Sequence, residues 1–143
     1  MEQGPQATRE VDLEEAIAIA ILFQKQGRLS DAEGIYRKIL AVAPEHADTL
    51  HYLGVLAHQQ GKSDAGIELI EKSIALEPKG ADRYNNLGII FKAQGRIEEV
   101  SAAYRKAIAL NAGHADAYSN LGVLLKAQGK GQEAEAAYRT ASR

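Results

Sequence analysis

An all-α fold of stacked helical hairpins is predicted by three features of this 143-residue chain. Four segments beginning at Leu13, Ala47, Ala81 and Ala115 align at a constant 34-residue spacing, without insertion or deletion. A period of that length marks stacked supersecondary units. The eighth residue of each segment is small (Ala20, Gly54, Gly88, Gly122), and the fifteenth is glycine in all four (Gly27, Gly61, Gly95, Gly129), each preceded by glutamine. Between these markers apolar residues recur at three- and four-residue spacing, the period of one helix face.

The elements follow in order. Residues 1–12 are polar and contain Gly4-Pro5, so they read as a flexible N-terminal segment. The repeats are then 13–46, 47–80, 81–114 and 115–143. The third displays the logic of all four. Tyr84, Leu87, Gly88 and Phe91 share one helix face, and Gly95 ends that helix, because glycine readily takes the left-handed conformation that closes a helix C-terminus. After a turn through Arg96, Val100, Tyr104, Ala107 and Ile108 form the apolar face of a second helix, which ends at Asn111 to Gly113. A connection of about three residues makes the two helices antiparallel.

Pro44 and Pro78 end the second helices of the first two hairpins, since proline lacks an amide donor and clashes with the preceding turn. Ala112-Gly113 does this in the third. The small eighth residue lets the two helices of a hairpin approach closely, and a small residue in the twentieth slot (Ala32, Gly66, Ala134) completes the contact. Val100 fills that slot in the third hairpin. Its extra methylenes would cost ~1–3 kcal/mol unless neighbours adjust, so a local shift is expected there. Tyr36, Ile70, Tyr104 and Tyr138 fill the space between successive hairpins.

Composition sets outer bounds on function. Apolar residues at 45% and charged residues at 25% fit a soluble protein. A net charge of −2 provides no electrostatic footprint for nucleic acid. No apolar run approaches the ~18 residues of a membrane span. The opening MEQGPQATRE lacks the basic and apolar regions of a secretion signal. No cysteine is present, so disulfides and thiolate chemistry are excluded. A cytoplasmic location is the default expectation.

The pairs Leu53-Gly54, Leu87-Gly88 and Leu121-Gly122 combine with glycine at slot fifteen, alanine at twenty, tyrosine at twenty-four and proline at thirty-two. Together they resemble tetratricopeptide repeats over residues 13–143. The departures are Ile19-Ala20 in place of Leu-Gly, the missing proline of the third repeat, and Ser142 where an aliphatic residue is usual. The resemblance implies a right-handed superhelical stack of four helix pairs whose first helices line a concave groove. The motifs Tyr84-Asn85-Asn86-Leu87-Gly88 and Tyr118-Ser119-Asn120-Leu121-Gly122 further resemble the asparagine ladder in the repeat region of O-linked N-acetylglucosamine transferases. There, such asparagines hold substrate polypeptide. Ala18 and Tyr52 take the equivalent places in the first two repeats.

On that architecture the groove-facing residues include Glu14, Ile17, Ile21 and Gln24 from the first repeat and Asp48 and His51 from the second. The candidate peptide-binding set is Tyr52, Val55, His58, Asn85, Asn86, Ile89, Lys92, Ser119, Asn120, Val123 and Lys126. Asn86 and Asn120 lie 34 residues apart and would stack on one wall. Each offers a donor and an acceptor, suited either to the backbone of an extended peptide or to bonds within and between hairpins. Asp48, Asp82 and Asp116 form a second column. It could be an acidic strip for a basic ligand, but first-turn aspartates complement the helix dipole, and that reading is preferred. Arg28, Lys62, Arg96 and Lys130 follow the glycines near helix C-termini, where the dipole again accounts for them.

Some tetratricopeptide domains grip a C-terminal carboxylate with a basic clamp. Asn86 fits one clamp position, but His51, Val55, Asp116 and Asn120 stand where the clamp needs lysine, asparagine, lysine and arginine. His51 and His58 are seven residues apart on one face, and no carboxylate or cysteine joins them at ligand spacing. They read as polar groove residues, and His46 and His114 as linker residues. Phosphate loops, nucleophile elbows and paired carboxylates are absent. The expectation is therefore a non-enzymatic protein-interaction scaffold, with no catalytic residues, metal or cofactor, no nucleic-acid or membrane partner, and a protein or peptide ligand.

Repeat stacks normally finish with a polar capping helix, whereas this chain stops at Tyr138 to Arg143, within a second helix. Tyr138 and Ala134 are expected to lack a covering hairpin. Either the chain is part of a longer protein, such as the substrate-recruiting region of a bacterial-type O-linked glycosyltransferase, or it self-associates through that C-terminal end. The first is preferred.

Overall fold

The computed structural model describes residues 5–143, with side chains from residue 13 onward. Eight α-helices make up the described residues, with no strand: α1 (Pro5–Lys25), α2 (Leu29–Val42), α3 (Ala47–Gln59), α4 (Ser63–Leu76), α5 (Ala81–Ala93), α6 (Ile97–Leu110), α7 (Ala115–Ala127) and α8 (Gly131–Ala141). They pack as four consecutive hairpins, α1 with α2, α3 with α4, α5 with α6 and α7 with α8. The chain divides into two compact units, the first ending at Leu76 and the second running Glu77–Arg143. In the first unit α2 also packs on α3, and in the second α6 packs on α7. α1 opens at Pro5, where a proline costs the helix no usable donor. The segment expected to be flexible thus falls partly on α1, and its residues 1–4 lie outside the described residues.

All four hairpins turn by one mechanism. Gly27, Gly61, Gly95 and Gly129 have φ of 78°, 83°, 72° and 77°, a region in which a side chain would be strained. With the glycine in that conformation, the next residue's amide reaches back to a carbonyl in the last helical turn. Arg28, Lys62, Arg96 and Lys130 donate to the carbonyls of Phe23, Ala57, Phe91 and Leu125 at 2.8–3.0 Å. These bonds satisfy acceptors that a helix end leaves open. Where the carbonyl belongs to phenylalanine, the arginine that caps it also lies over the ring: Arg28 Cζ is 4.1 Å from the Phe23 centroid and Arg96 Cζ 4.5 Å from that of Phe91. These arginines then pair with Asp31 and Glu99 of the following helix. Their role is thus more specific than interaction with a dipole.

Close helix approach at the eighth slot is also present. A Cβ placed on Gly54 would come within 2.7 Å of Ile70 Cγ1 and 2.9 Å of the Gly66 carbonyl oxygen. On Gly88 it would meet the Tyr104 ring at 2.6 Å, and on Gly122 the Tyr138 ring at 2.7 Å. Val100 is fully buried in its hairpin, and the atoms nearest Gly88 belong to Tyr104 and Ala103. Ala134, expected to be uncovered, is buried, because its small side chain belongs to the α7–α8 contact. The missing proline of the third repeat is replaced by a side-chain bond: Asn111 Oδ1 accepts from the Gly113 amide at 3.0 Å, a local turn that asparagine favours.

Candidate interaction surface

In the first unit the predicted residues Tyr52, Val55 and His58 all lie on α3 and are half-buried. The Tyr52 ring stacks on that of Tyr36 with centroids 6.4 Å apart and planes 9° from parallel. The His51 ring also lies near it, with centroids 5.0 Å apart. His51, expected among the groove-facing residues, is buried. Burial, with Tyr52 adding to it, pushes the Tyr36 phenol far above its ordinary pKa, which keeps the hydroxyl a donor. It donates to Gln24 Oε1 at 2.7 Å, and Gln24 Nε2 donates to Gln59 Oε1 at 2.7 Å. His58 Nδ1 lies 2.8 Å from Ser63 Oγ at the start of α4. Tyr52 and His58 therefore already carry structural contacts.

The second unit supplies the remaining candidates from α5 and α7. Asn120 Nδ2 donates to Asn85 Oδ1 at 3.0 Å, which brings these two helices side by side. Asn85 is buried, so its carbonyl stabilises the joint between helices and stands behind the surface. Asn120 thus pairs with an asparagine 35 residues away; Asn86, at the 34-residue spacing, is half-buried. Ser119 and Asn120 are half-buried, whereas Ile89, Lys92, Val123 and Lys126 are exposed. Lys92 and Lys126 sit in the last turns of α5 and α7, and Asp82 and Asp116 in the first turns, the distribution that helix dipoles favour. On equivalent positions of the two helices the sequence of characters is acidic, apolar, basic.

The histidines expected to be linker residues have a definite role. His114 precedes α7, and its Nδ1 accepts from the Ala117 amide at 3.0 Å. That nitrogen is therefore unprotonated, so Nε2 carries the hydrogen and donates to Asp82 Oδ1 at 2.6 Å. One buried imidazole caps α7 and ties it to α5. His46 caps α3 in the same way, accepting from the Thr49 amide at 3.4 Å. The signal was present in the sequence as a histidine one residue before two of the repeats, but histidine is not among the usual capping residues.

Among the described residues no cluster of three or more potential ligands could hold a metal ion, and no helix is long and apolar enough to cross a membrane.

The sequence matches two repeat models, one described as tetratricopeptide repeat over residues 17–82 and one as TPR repeat over 88–129. No curated protein matches it. Among solved structures the fold is similar to that of MamA, at 24% identity and a TM-score of 0.78, over 90% of this chain and 75% of that one. It is also similar to pilF of Pseudomonas aeruginosa, at 22% identity and a TM-score of 0.86, over 94% of this chain and 61% of that one. These two likenesses concern the fold alone. A mutant O-GlcNAc transferase of Thermobaculum terrenum is 26% identical with a TM-score of 0.79, over 87% of this chain and 23% of that one. From its glycine-turned hairpins, its repeat register and these matches together, the chain belongs to the tetratricopeptide-repeat family.

Proposed function

We propose that the chain is a non-catalytic protein-interaction scaffold, and that the α5–α7 surface takes a segment of polypeptide. One observation carries the reading: the exposed apolar residues Ile89 and Val123 occupy equivalent positions on two helices that Asn120 and Asn85 join, with Lys92 and Lys126 one turn beyond. Such a strip suits a segment that presents an apolar side chain beside acidic ones. Asn120 has amide capacity beyond its bond to Asn85, which with Asn86 would orient the segment's backbone. In the first unit Tyr52, Val55 and His58 would offer apolar and polar contact on α3. Few anchors imply an affinity around micromolar, or ~−8 kcal/mol.

The test is peptide selection from a random display library against the whole chain. Enriched peptides are expected to carry acidic residues next to apolar ones. Their binding should be lost on charge reversal in Lys92→Glu/Lys126→Glu and weakened in Ile89→Ser/Val123→Ser. Peptides that bind both variants undiminished would rule out this surface. A second reading, a substrate-recruiting region within a larger O-linked glycosyltransferase, is supported by the likeness to the Thermobaculum terrenum enzyme, of which this chain spans 23%. A glycosyltransferase domain in the same open reading frame would decide for it.

A further inference from the structure

Two apolar faces of the chain match the two sides of a contact that it already makes. In the first unit Tyr36 is buried in a cluster with Leu53 and Leu56 of α3. In the 34-residue register, Leu53 and Leu56 correspond to Ile19 and Leu22 of α1, and Tyr36 corresponds to Tyr138 of α8. Leu53 and Leu56 are 2% and 0% exposed, whereas Ile19 and Leu22 are 48% and 53% exposed. Tyr36 and Tyr104 are 0% and 1% exposed, whereas Tyr138 is 36% exposed. Ile19 also borders an open apolar hollow of about 380 Å³ with Leu13, Ile35 and Val42.

The polar edge of the contact recurs as well. Gln60 Nε2 donates to Glu33 Oε1 at 2.9 Å, from the second hairpin to the first, while Glu33 holds Arg37. The corresponding residues are Gln26 and Glu135, both exposed, and Glu135 forms a looser ion pair with Arg139 at 3.6 Å.

We propose that the α1 face of one copy of this chain receives the α8 face of a second, with Ile19 and Leu22 covering Tyr138 as Leu53 and Leu56 cover Tyr36. The occupant is a second copy because the two exposed faces are the two halves of one interface already built inside the chain. The contact joins different surfaces, so it is heterologous and continues head to tail. One pair opposes it. The Gln24–Gln59 bond of the internal contact is replaced by Lys126 and Lys25, whose repulsion is screened by salt. Association therefore strengthens as ionic strength rises.

Sedimentation of the full chain tests this with two variants, Ile19→Glu/Leu22→Glu and Tyr138→Glu, each checked for helicity. The wild type is expected to gain average mass continuously with concentration, more at high salt than at low. Each variant alone should remain monomeric. An equimolar mixture of the two should form a species of twice the monomer mass that grows no further, since each contributes its one intact face. A wild type that stays monomeric, a variant that self-associates alone, or folded variants that fail to pair would each overturn the proposal. Because Tyr138 also lies against Gly122, Glu135→Lys serves as a second variant that leaves the hairpin contact untouched. It should lose the growth in mass, and adding Gln26→Glu in the same chain should restore it. Undiminished growth in Glu135→Lys would count against this register.

Discussion

The first unit and the second are built on one register and joined internally by different chemistry. In the first, an aromatic stack of Tyr36 on Tyr52 is edged by a chain of amides through Gln24 and Gln59. In the second, His114 and Asp82 form one tie between the first helices, and Asn120 with the buried Asn85 forms another. Both units place their amide bond at a separation of 35 residues, Gln24 to Gln59 and Asn85 to Asn120. The geometry of adjacent first helices is therefore shared, while the solvent exposure of the bond is not. A tie at an exposed edge competes with water, and a tie to a buried group does not, so the second unit depends on its polar residues more than the first does.

The largest expected effects test the closeness of the hairpin contacts. Gly54→Ala should destabilise the chain by ~3 kcal/mol, because a backbone carbonyl as well as a side chain blocks the new methyl. Gly88→Ala should cost ~2 kcal/mol, since the Tyr104 ring it meets is buried. Gly122→Ala should cost at most ~1 kcal/mol, because the Tyr138 ring is exposed and can swing away. Urea denaturation of the three variants gives the ranking. Equal losses at Gly88 and Gly122 would show that ring mobility is not what sets the cost.

Next come the polar ties. Asn120→Ala leaves the Asn85 carbonyl without this bond in a buried place and should cost ~1–3 kcal/mol. The matching change in the first unit, Gln59→Ala, removes an exposed bond and should cost ~0.5 kcal/mol. Should the two prove equal in denaturation, the contrast between the units would be lost. His114→Ala removes a cap and the tie to Asp82 and should cost ~1–2 kcal/mol, more than His46→Ala, whose capping bond is longer at 3.4 Å.

The smallest effect is a pH dependence confined to the first unit. The Gln60 amide and then Arg37 hold the Glu33 carboxyl below its ordinary pKa. With the folded value lowered, this stabilisation is fully present above the unfolded carboxylate pKa and is lost as pH falls through the folded one. Stability measured against pH should accordingly fall less steeply on the acid side in Gln60→Leu than in the wild type. Parallel curves would show that the Gln60–Glu33 bond contributes nothing between the hairpins.

Much of the fold was legible because its determinants are local. A glycine at slot fifteen ends a helix whatever lies around it, since only the missing Cβ matters at positive φ. The small residues at slot eight announced a close helix contact, but its partner was misplaced: small residues at slot twenty were expected there, whereas Ile70, Tyr104 and Tyr138 at slot twenty-four stand nearest Gly54, Gly88 and Gly122. The candidate surface was legible only in part. Ile89, Lys92, Val123 and Lys126 are exposed, whereas Asn85 and His51 are buried. A residue's slot fixes its helix face to within one position, and one position on a helix is about 100° of rotation. That is enough to move a side chain from a surface to the joint behind it.

The sequence by itself determined the number of hairpins and the glycines that turn and pack them, because these depend on backbone conformation and residue volume repeated in register. Only the tertiary structure decided which polar groups meet. Asn120 bonds to Asn85, His114 caps one helix while holding another, and Arg28 and Arg96 settle on phenylalanine rings. These choices turn on bond distances near 3 Å between helices that the periodicity orders but does not align.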